Sequence, residues 1–104
     1  MLYKIDYLPI AKRDITDISG YISDELSAPK AAMDLLDAFD KAIDGLRDFP
    51  YAYRVYQPVE SLENEYRRIP VKNYVVFYTV DEQKRLVEIH RVLYAKMDLT
   101  KIFQ

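Results

Sequence analysis

Residues 66–98 read YRRIPVKNYVVFYTVDEQKRLVEIHRVLYAKMD. Three runs in this stretch are rich in valine, isoleucine, phenylalanine and tyrosine, the residues that suit a pleated, half-buried surface. They predict strands over Tyr66–Val71, Tyr74–Val80 and Leu86–Tyr94. The polar run Asp81-Glu82-Gln83-Lys84-Arg85 predicts the hairpin loop between the last two. A simple register puts Val75, Phe77, Val87, Ile89 and Leu93 on one face, the core face by apolar content. Tyr74, Tyr78, Glu88, His90 and Tyr94 are then left open. A one-residue bulge in either strand reverses that assignment, because side chains alternate with a period of two.

Residues 2–7, LYKIDY, alternate in type and predict a first strand that Leu8-Pro9 ends. A helix is predicted from about Ile10 to Leu26. Ala11, Ile15, Ile18, Ile22 and Leu26 recur every three or four residues as one apolar stripe. Asp14, Asp17 and Asp24 are read as lying off that stripe, and Gly20 weakens the helix by about 1 kcal/mol relative to alanine. Ser27 is the expected cap of a second helix, with Pro29 in its first turn. Ala32, Leu35, Phe39, Ala42, Ile43 and Leu46 form its stripe, Asp34, Asp37, Asp40, Asp44 and Asp48 face water, and Phe49-Pro50 closes it. So short a connection predicts an antiparallel helical hairpin. Tyr51–Glu65 reads as irregular, with Tyr51, Tyr53 and Tyr56 packing a loop onto the helix ends. Asp98–Phe103 reads as a short final helix or an extended tail.

The expected order is β-α-α-β-β-β. This is an α+β fold in one domain, residues 1–104, with the helical hairpin on one face of a small, mostly antiparallel sheet. At 104 residues, half of them hydrophobic, the chain is long enough to bury a core without staples.

Charge is unevenly placed. Residues 1–65 hold 7 Lys/Arg and 13 Asp/Glu, whereas residues 66–104 hold 8 Lys/Arg and 4 Asp/Glu. The helical half is therefore acidic and the sheet half basic, a pattern that suits a nucleic-acid or acidic-partner surface. There is no cysteine and only one histidine, His90. Disulfides and thiolate chemistry are excluded, and a metal site or other cofactor is not expected. With only Gly20 and Gly45 there is no glycine-rich phosphate loop, and no nucleophile elbow or His-Glu-x-x-His occurs. No signal peptide and no membrane span is read, so the expected location is the cytoplasm.

Any site must be built from scattered polar groups of the sheet. Arg67, Arg68 and Lys72 are the candidate nucleic-acid-binding residues, with tyrosines interleaved that can stack on unpaired bases. Arg91, Lys96, Tyr94 and His90 are the candidate catalytic residues. The cations among them suit the charge that develops in phosphodiester cleavage, and the imidazole titrates near neutrality. A mid-strand histidine is also often structural, here beside Glu88 or a tyrosine.

Two stretches resemble the RelE/ParE superfamily of type II toxins. AKRDITDISGYISDEL followed by APKAAMDLLDAFDKAIDGLRDFP is similar to the helical hairpin of ParE-type members. The shared features are an aspartate near the start, the Tyr-Ile pair and the closing Leu-x-x-Phe-Pro. YRRIPVKNYVVFYTVDEQKRLVEIHRVLYAKMD is similar to the three C-terminal strands. The resemblance implies the fold derived above, a cognate small antitoxin, and one of two targets. RelE-like members cleave messenger RNA on the ribosome, and ParE-like members poison DNA gyrase. The family pattern also implies the opposite facing of the central strand. Val75 stands where RelE-like nucleases usually carry arginine, and Ala95-Lys96-Met97 where more basic groups are common. The basic cluster points toward translation as the target. The alternatives are a gyrase inhibitor and a binding module without toxicity.

Overall fold

The computed structural model describes residues 2–56 and 65–96. Its longest strands form the hairpin read from the sequence. β3 spans Tyr74–Asp81 and β4 spans Leu86–Tyr94. β2, Arg67–Val71, pairs antiparallel with β3. β1, Lys4–Tyr7, pairs parallel with the first four residues of β4. The sheet order is β1-β4-β3-β2, so it is mostly antiparallel with one parallel edge. The final segment, Asp98–Phe103, lies outside the described residues.

α1 spans Pro9–Gly20, with proline in its first turn, where a missing N–H costs nothing. The chain then continues as a π-turn, Tyr21–Glu25. The expected helix to Leu26 is thus continuous to Glu25, but its pattern changes from α to π after Gly20. Leu26 is not a core residue: it is 55% exposed. Ser27 does not cap α2 either. It takes a left-handed conformation, φ 50°, and the residue at the cap position is Ala28. The reversal between the helices needs one left-handed residue, and serine supplies it in place of a cap. α2, Pro29–Asp44, buries Ala32, Leu35, Phe39 and Ile43, and a 3₁₀ turn, Gly45–Arg47, buries Leu46.

The main core lies between the helices and one sheet face. Ile69, Val71, Val76, Tyr78, Val87, Ile89 and Val92 meet Ala11, Leu35, Phe39, Ile43 and Leu46 there. A second, smaller cluster of Val75, Phe77 and Leu93 lies apart from it, packed against Tyr56 and Tyr66. The simple register is therefore corrected. Val87 and Ile89 do face the helices, but Val75, Phe77 and Leu93 face the other way, and Tyr78 is fully buried in the main core. The cause is a β-bulge. Phe77 lies opposite Arg91 and Tyr78 opposite Ile89, so His90 has no partner residue on β3. One extra residue in β4 inverts the alternation for everything beyond it.

Tyr78 donates its hydroxyl to the Pro50 carbonyl at 2.7 Å, and burial pushes its phenol up to about 12. That bond ties the segment after the helices to the sheet. Of the loop tyrosines, Tyr53 packs against the main core as expected. Tyr56 instead stands edge-on to Phe77, 5.2 Å between centroids, and covers the opposite sheet face.

Candidate functional site

β4 outruns its neighbour. β1 pairs with it only as far as Ile89. Beyond that point the open edge of β4 runs against α1 and not a strand. Asp14 of α1 fills the gap. Its Oδ2 accepts the Val92 N–H at 3.0 Å, as a strand carbonyl would. The same carboxylate accepts from Arg91 Nε at 2.8 Å and from Arg91 Nη2 at 3.0 Å. The side chains are only 23% exposed for Arg91 and 13% for Asp14. This is a bidentate, charge-assisted pair in a partly dry setting. The bond to Asp14 holds the guanidinium pKa above its ordinary value, against the opposing effect of burial.

Asp14 is not among the candidates the sequence singles out, where it reads as lying off the helical stripe. Its spacing nonetheless contains the signal. It falls three residues after Ala11 and four before Ile18, on the face that turns toward the sheet. An acidic residue at such a position needs a buried partner.

Arg91 and Tyr94 line an open groove of about 950 Å³ between the helical hairpin and the ends of β3 and β4. Its apolar wall includes Ile18, Tyr21, Ile22, Leu26 and Tyr74. Tyr94 is exposed and stands edge-on to Tyr74, which in turn meets Phe39 edge-on. Lys72 reaches the same groove from the turn between β2 and β3, where it adopts a left-handed φ of 54°. Asp17 lines it as well. Lys96 is exposed just past the end of β4.

The bulge separates His90 from this group. Its Nε2 lies 2.9 Å from Thr79 Oγ1, and its ring stands edge-on to Tyr66 at 5.1 Å. It lines a different cleft, of about 420 Å³, with Thr79, Glu65 and Glu88. Burial lowers its pKa, partly offset by the Glu88 charge. The expected tyrosine neighbour is therefore Tyr66, and the hydrogen-bond partner is a threonine.

Arg67 and Arg68 are turned toward the loop that precedes them. Arg67 donates to the Tyr53 carbonyl at 2.7 Å and to Glu65 at 3.3 Å, and its guanidinium lies 5.0 Å from the Tyr51 ring centroid. Arg68 lies 5.4 Å from the Tyr56 ring centroid. Of the seven candidate residues, the groove brings together Lys72, Arg91 and Tyr94. Arg67, Arg68 and His90 lie elsewhere.

The opposite end of the β3–β4 hairpin carries a separate cluster. Glu82 accepts hydroxyls from Tyr3 at 2.6 Å and Tyr51 at 2.8 Å, and both bonds lower its pKa. Arg85 donates to the Tyr3 hydroxyl and pairs with Glu82 at 3.3 Å. Both tyrosine hydroxyls donate to Glu82, and the cluster fastens the N-terminal segment to the hairpin.

A helical hairpin on one face of a small mixed sheet, with a groove at the sheet's end, defines the class of RelE/ParE-type toxin domains. The sequence profile described as the ParE toxin of the type II toxin–antitoxin system parDE matches residues 5–99. The chain belongs to that ParE toxin family. Its fold is similar to a chain of the chromosomal ParDE toxin–antitoxin system from P. aeruginosa. The TM-score is 0.72 at 13% identity, over 91% of this chain and 98% of that one. It is also similar to a chain of the RelBE2 toxin–antitoxin complex from Mycobacterium tuberculosis, with a TM-score of 0.61 at 19% identity, over 90% and 99%. A chain of the archaeal RelE–RelB complex from Pyrococcus horikoshii OT3 gives a TM-score of 0.61 at 18% identity, over 92% and 98%. No curated protein matches the chain in sequence. Among the described residues no helix is long and apolar enough to cross a membrane.

Proposed function

We propose that the protein is a growth-inhibiting toxin, held inactive in the cytoplasm by a cognate small antitoxin, that acts by binding DNA gyrase and not by cutting RNA. One observation carries the choice of target: the four candidate catalytic groups do not converge. Arg91 and Tyr94 line the groove, His90 lines the other cleft, and Lys96 lines neither. Arg91 is moreover engaged by Asp14 through both of its available nitrogen positions on that side. Cleavage needs donors held together within hydrogen-bond reach of one reacting phosphate. A protein target needs a shaped, partly apolar surface instead, and the groove offers one. Its exposed Tyr21, Leu26 and Tyr94 are the kind of apolar surface that marks an interface. Membership of the ParE family agrees with this reading. An antitoxin that covers the same apolar wall would silence the toxin by occupancy.

A second reading, ribosome-dependent cleavage of messenger RNA, is favoured by the placement of Lys72, Arg91 and Tyr94 in one groove. The two are separated by a gyrase supercoiling assay run beside mapping of cleavage on ribosome-bound messages. Stalled supercoiling with intact transcripts is expected. Cut transcripts with normal supercoiling would reverse the assignment, and unimpaired growth under strong expression would remove the toxin reading altogether.

A further inference from the structure

Asp14 does more at the groove than close a strand edge. Its two oxygens take up the side-on position at Nε and Nη2 of Arg91. A phosphate binds a guanidinium through the same two-point geometry. Around that pair the groove holds the other parts that single-stranded nucleic acid uses. Lys72 is an exposed cation, Tyr94 an exposed ring, and Tyr74 a second ring beside it. Cations that track the backbone and rings that stack on bases are the common elements of such sites.

We propose that Asp14 is a specificity-determining residue whose carboxylate stands in for phosphate on Arg91 and thereby keeps this groove from binding single-stranded RNA. The carboxylate is covalently part of α1, so its effective concentration at Arg91 far exceeds that of any RNA in solution. It is also held from a second direction by the Val92 N–H, so a rotamer change that freed Arg91 would break that bond as well. A phosphate that arrives at the groove meets a neutralised arginine and the negative charge of Asp17. The inference extends the reading of the protein as a toxin that does not cut RNA. Its test reads RNA binding directly and does not depend on which target the toxin attacks.

The test uses the full chain, free of antitoxin, and a fluorescein-labelled single-stranded RNA oligonucleotide followed by anisotropy across a salt series. Asp14→Asn keeps a carbonyl oxygen for the Val92 N–H and removes the charge that masks Arg91. It should bind the RNA roughly tenfold more tightly than the unaltered chain at low salt, as expected for one added charge-assisted contact. The salt slope should steepen by about 0.7, the increment for one more phosphate of a single strand. Asp14→Asn/Arg91→Ala should lose the gain and bind no more tightly than the unaltered chain. Asp17→Asn makes the same change in net charge at the same groove without exposing Arg91, and should give a much smaller gain. Equal gains from Asp14→Asn and Asp17→Asn would overturn the proposal. So would no gain from Asp14→Asn, or a gain that survives in the double variant. If Asp14→Asn does not fold, Asp14→Ser carries the same comparison, since it removes the same charge.

Discussion

Tyr78→Phe tests the facing of the central strand with the removal of one oxygen atom. On the simple register this residue is open, and an exposed tyrosine-to-phenylalanine change lies within about 0.5 kcal/mol of neutral. In the bulged register the ring is fully buried and the hydroxyl donates to the Pro50 carbonyl at 2.7 Å, with Pro50 itself buried. Removing the hydroxyl leaves that carbonyl without this donor, which costs roughly 1–3 kcal/mol. For a domain of this size about 2 kcal/mol corresponds to a fall in Tm on the order of 10 °C. A second signature follows from the phenol, which burial holds at about 12 in the folded state against an ordinary value of 10.0. Between those values the folded chain binds more protons than the unfolded one, so stability falls as pH rises. The contribution is complete below about pH 10 and is lost as pH climbs through about 12. A two-unit difference is worth about 2.7 kcal/mol at most. The phenylalanine variant has no such group, so it should lose less stability than the parent over that alkaline interval. Thermal melts by circular dichroism at neutral pH, and urea titrations from pH 9 upward, measure both effects. A variant that melts within about 1 °C of the parent, with an identical alkaline slope, would refute the buried placement and with it the bulge.

Two further outcomes follow from the bulge and the strand beyond it. Asp14→Ala leaves both the Arg91 guanidinium and the Val92 N–H without this acceptor and should cost about 2 kcal/mol. A double-mutant cycle with Arg91→Ala should give a coupling of about 1–2 kcal/mol, and additive effects would mean that the pair is not formed in solution. His90 has its pKa lowered by burial, so the folded chain binds fewer protons there than the unfolded one. Its contribution to stability is present above about pH 6.5 and is lost as pH falls below that value. Urea titrations at pH 7.5 and pH 5.0 should show that loss in the parent and a smaller one in His90→Asn. Equal losses would place the acid sensitivity elsewhere.

Local signals and long-range ones are not equally readable in the chain. Leu86–Tyr94 is a strand at the bounds expected from its composition, and α2 carries the expected stripe of Ala32, Leu35, Phe39 and Ile43. Both depend on periodicity within one element. Ser27 shows where composition misleads. A serine before a proline-led helix suits a cap, yet the tight reversal after the π-turn demands a positive φ at that residue, and the backbone requirement wins. The facing of β3 is another kind of failure. The apolar residues of β3 and β4 are legible in the sequence, but a single unpaired residue at His90 moves Val75, Phe77 and Leu93 from one face to the other. Both faces of β3 are apolar enough to be buried, so its own pattern holds no information about which one meets the helices.

The candidate site is harder to read for a related reason. Sequence identifies a cation, but it does not say whether the charge is already engaged. Arg91 and Asp14 are 77 residues apart, and only the parallel placement of β1 and the course of α1 bring them together. Arg67 and Arg68 read in the sequence as groups for phosphate, yet Arg67 is turned onto a tyrosine ring and a backbone carbonyl of the preceding loop, and Arg68, though exposed, lies over the Tyr56 ring. Lys72 and Lys96 are exposed, one at a turn and one past a strand end, whereas Arg67 and Arg91 are partly buried. The pattern has a physical basis. An arginine on a covered part of a strand, such as Arg67 or Arg91, is flanked by neighbours that exclude water, so leaving it unpaired is costly, whereas a lysine at a turn or end keeps its hydration. A basic strand therefore advertises more positive charge than it presents. The acidic composition of the helices supplies the difference, because one of those acids, Asp14, is turned inward to meet the strand.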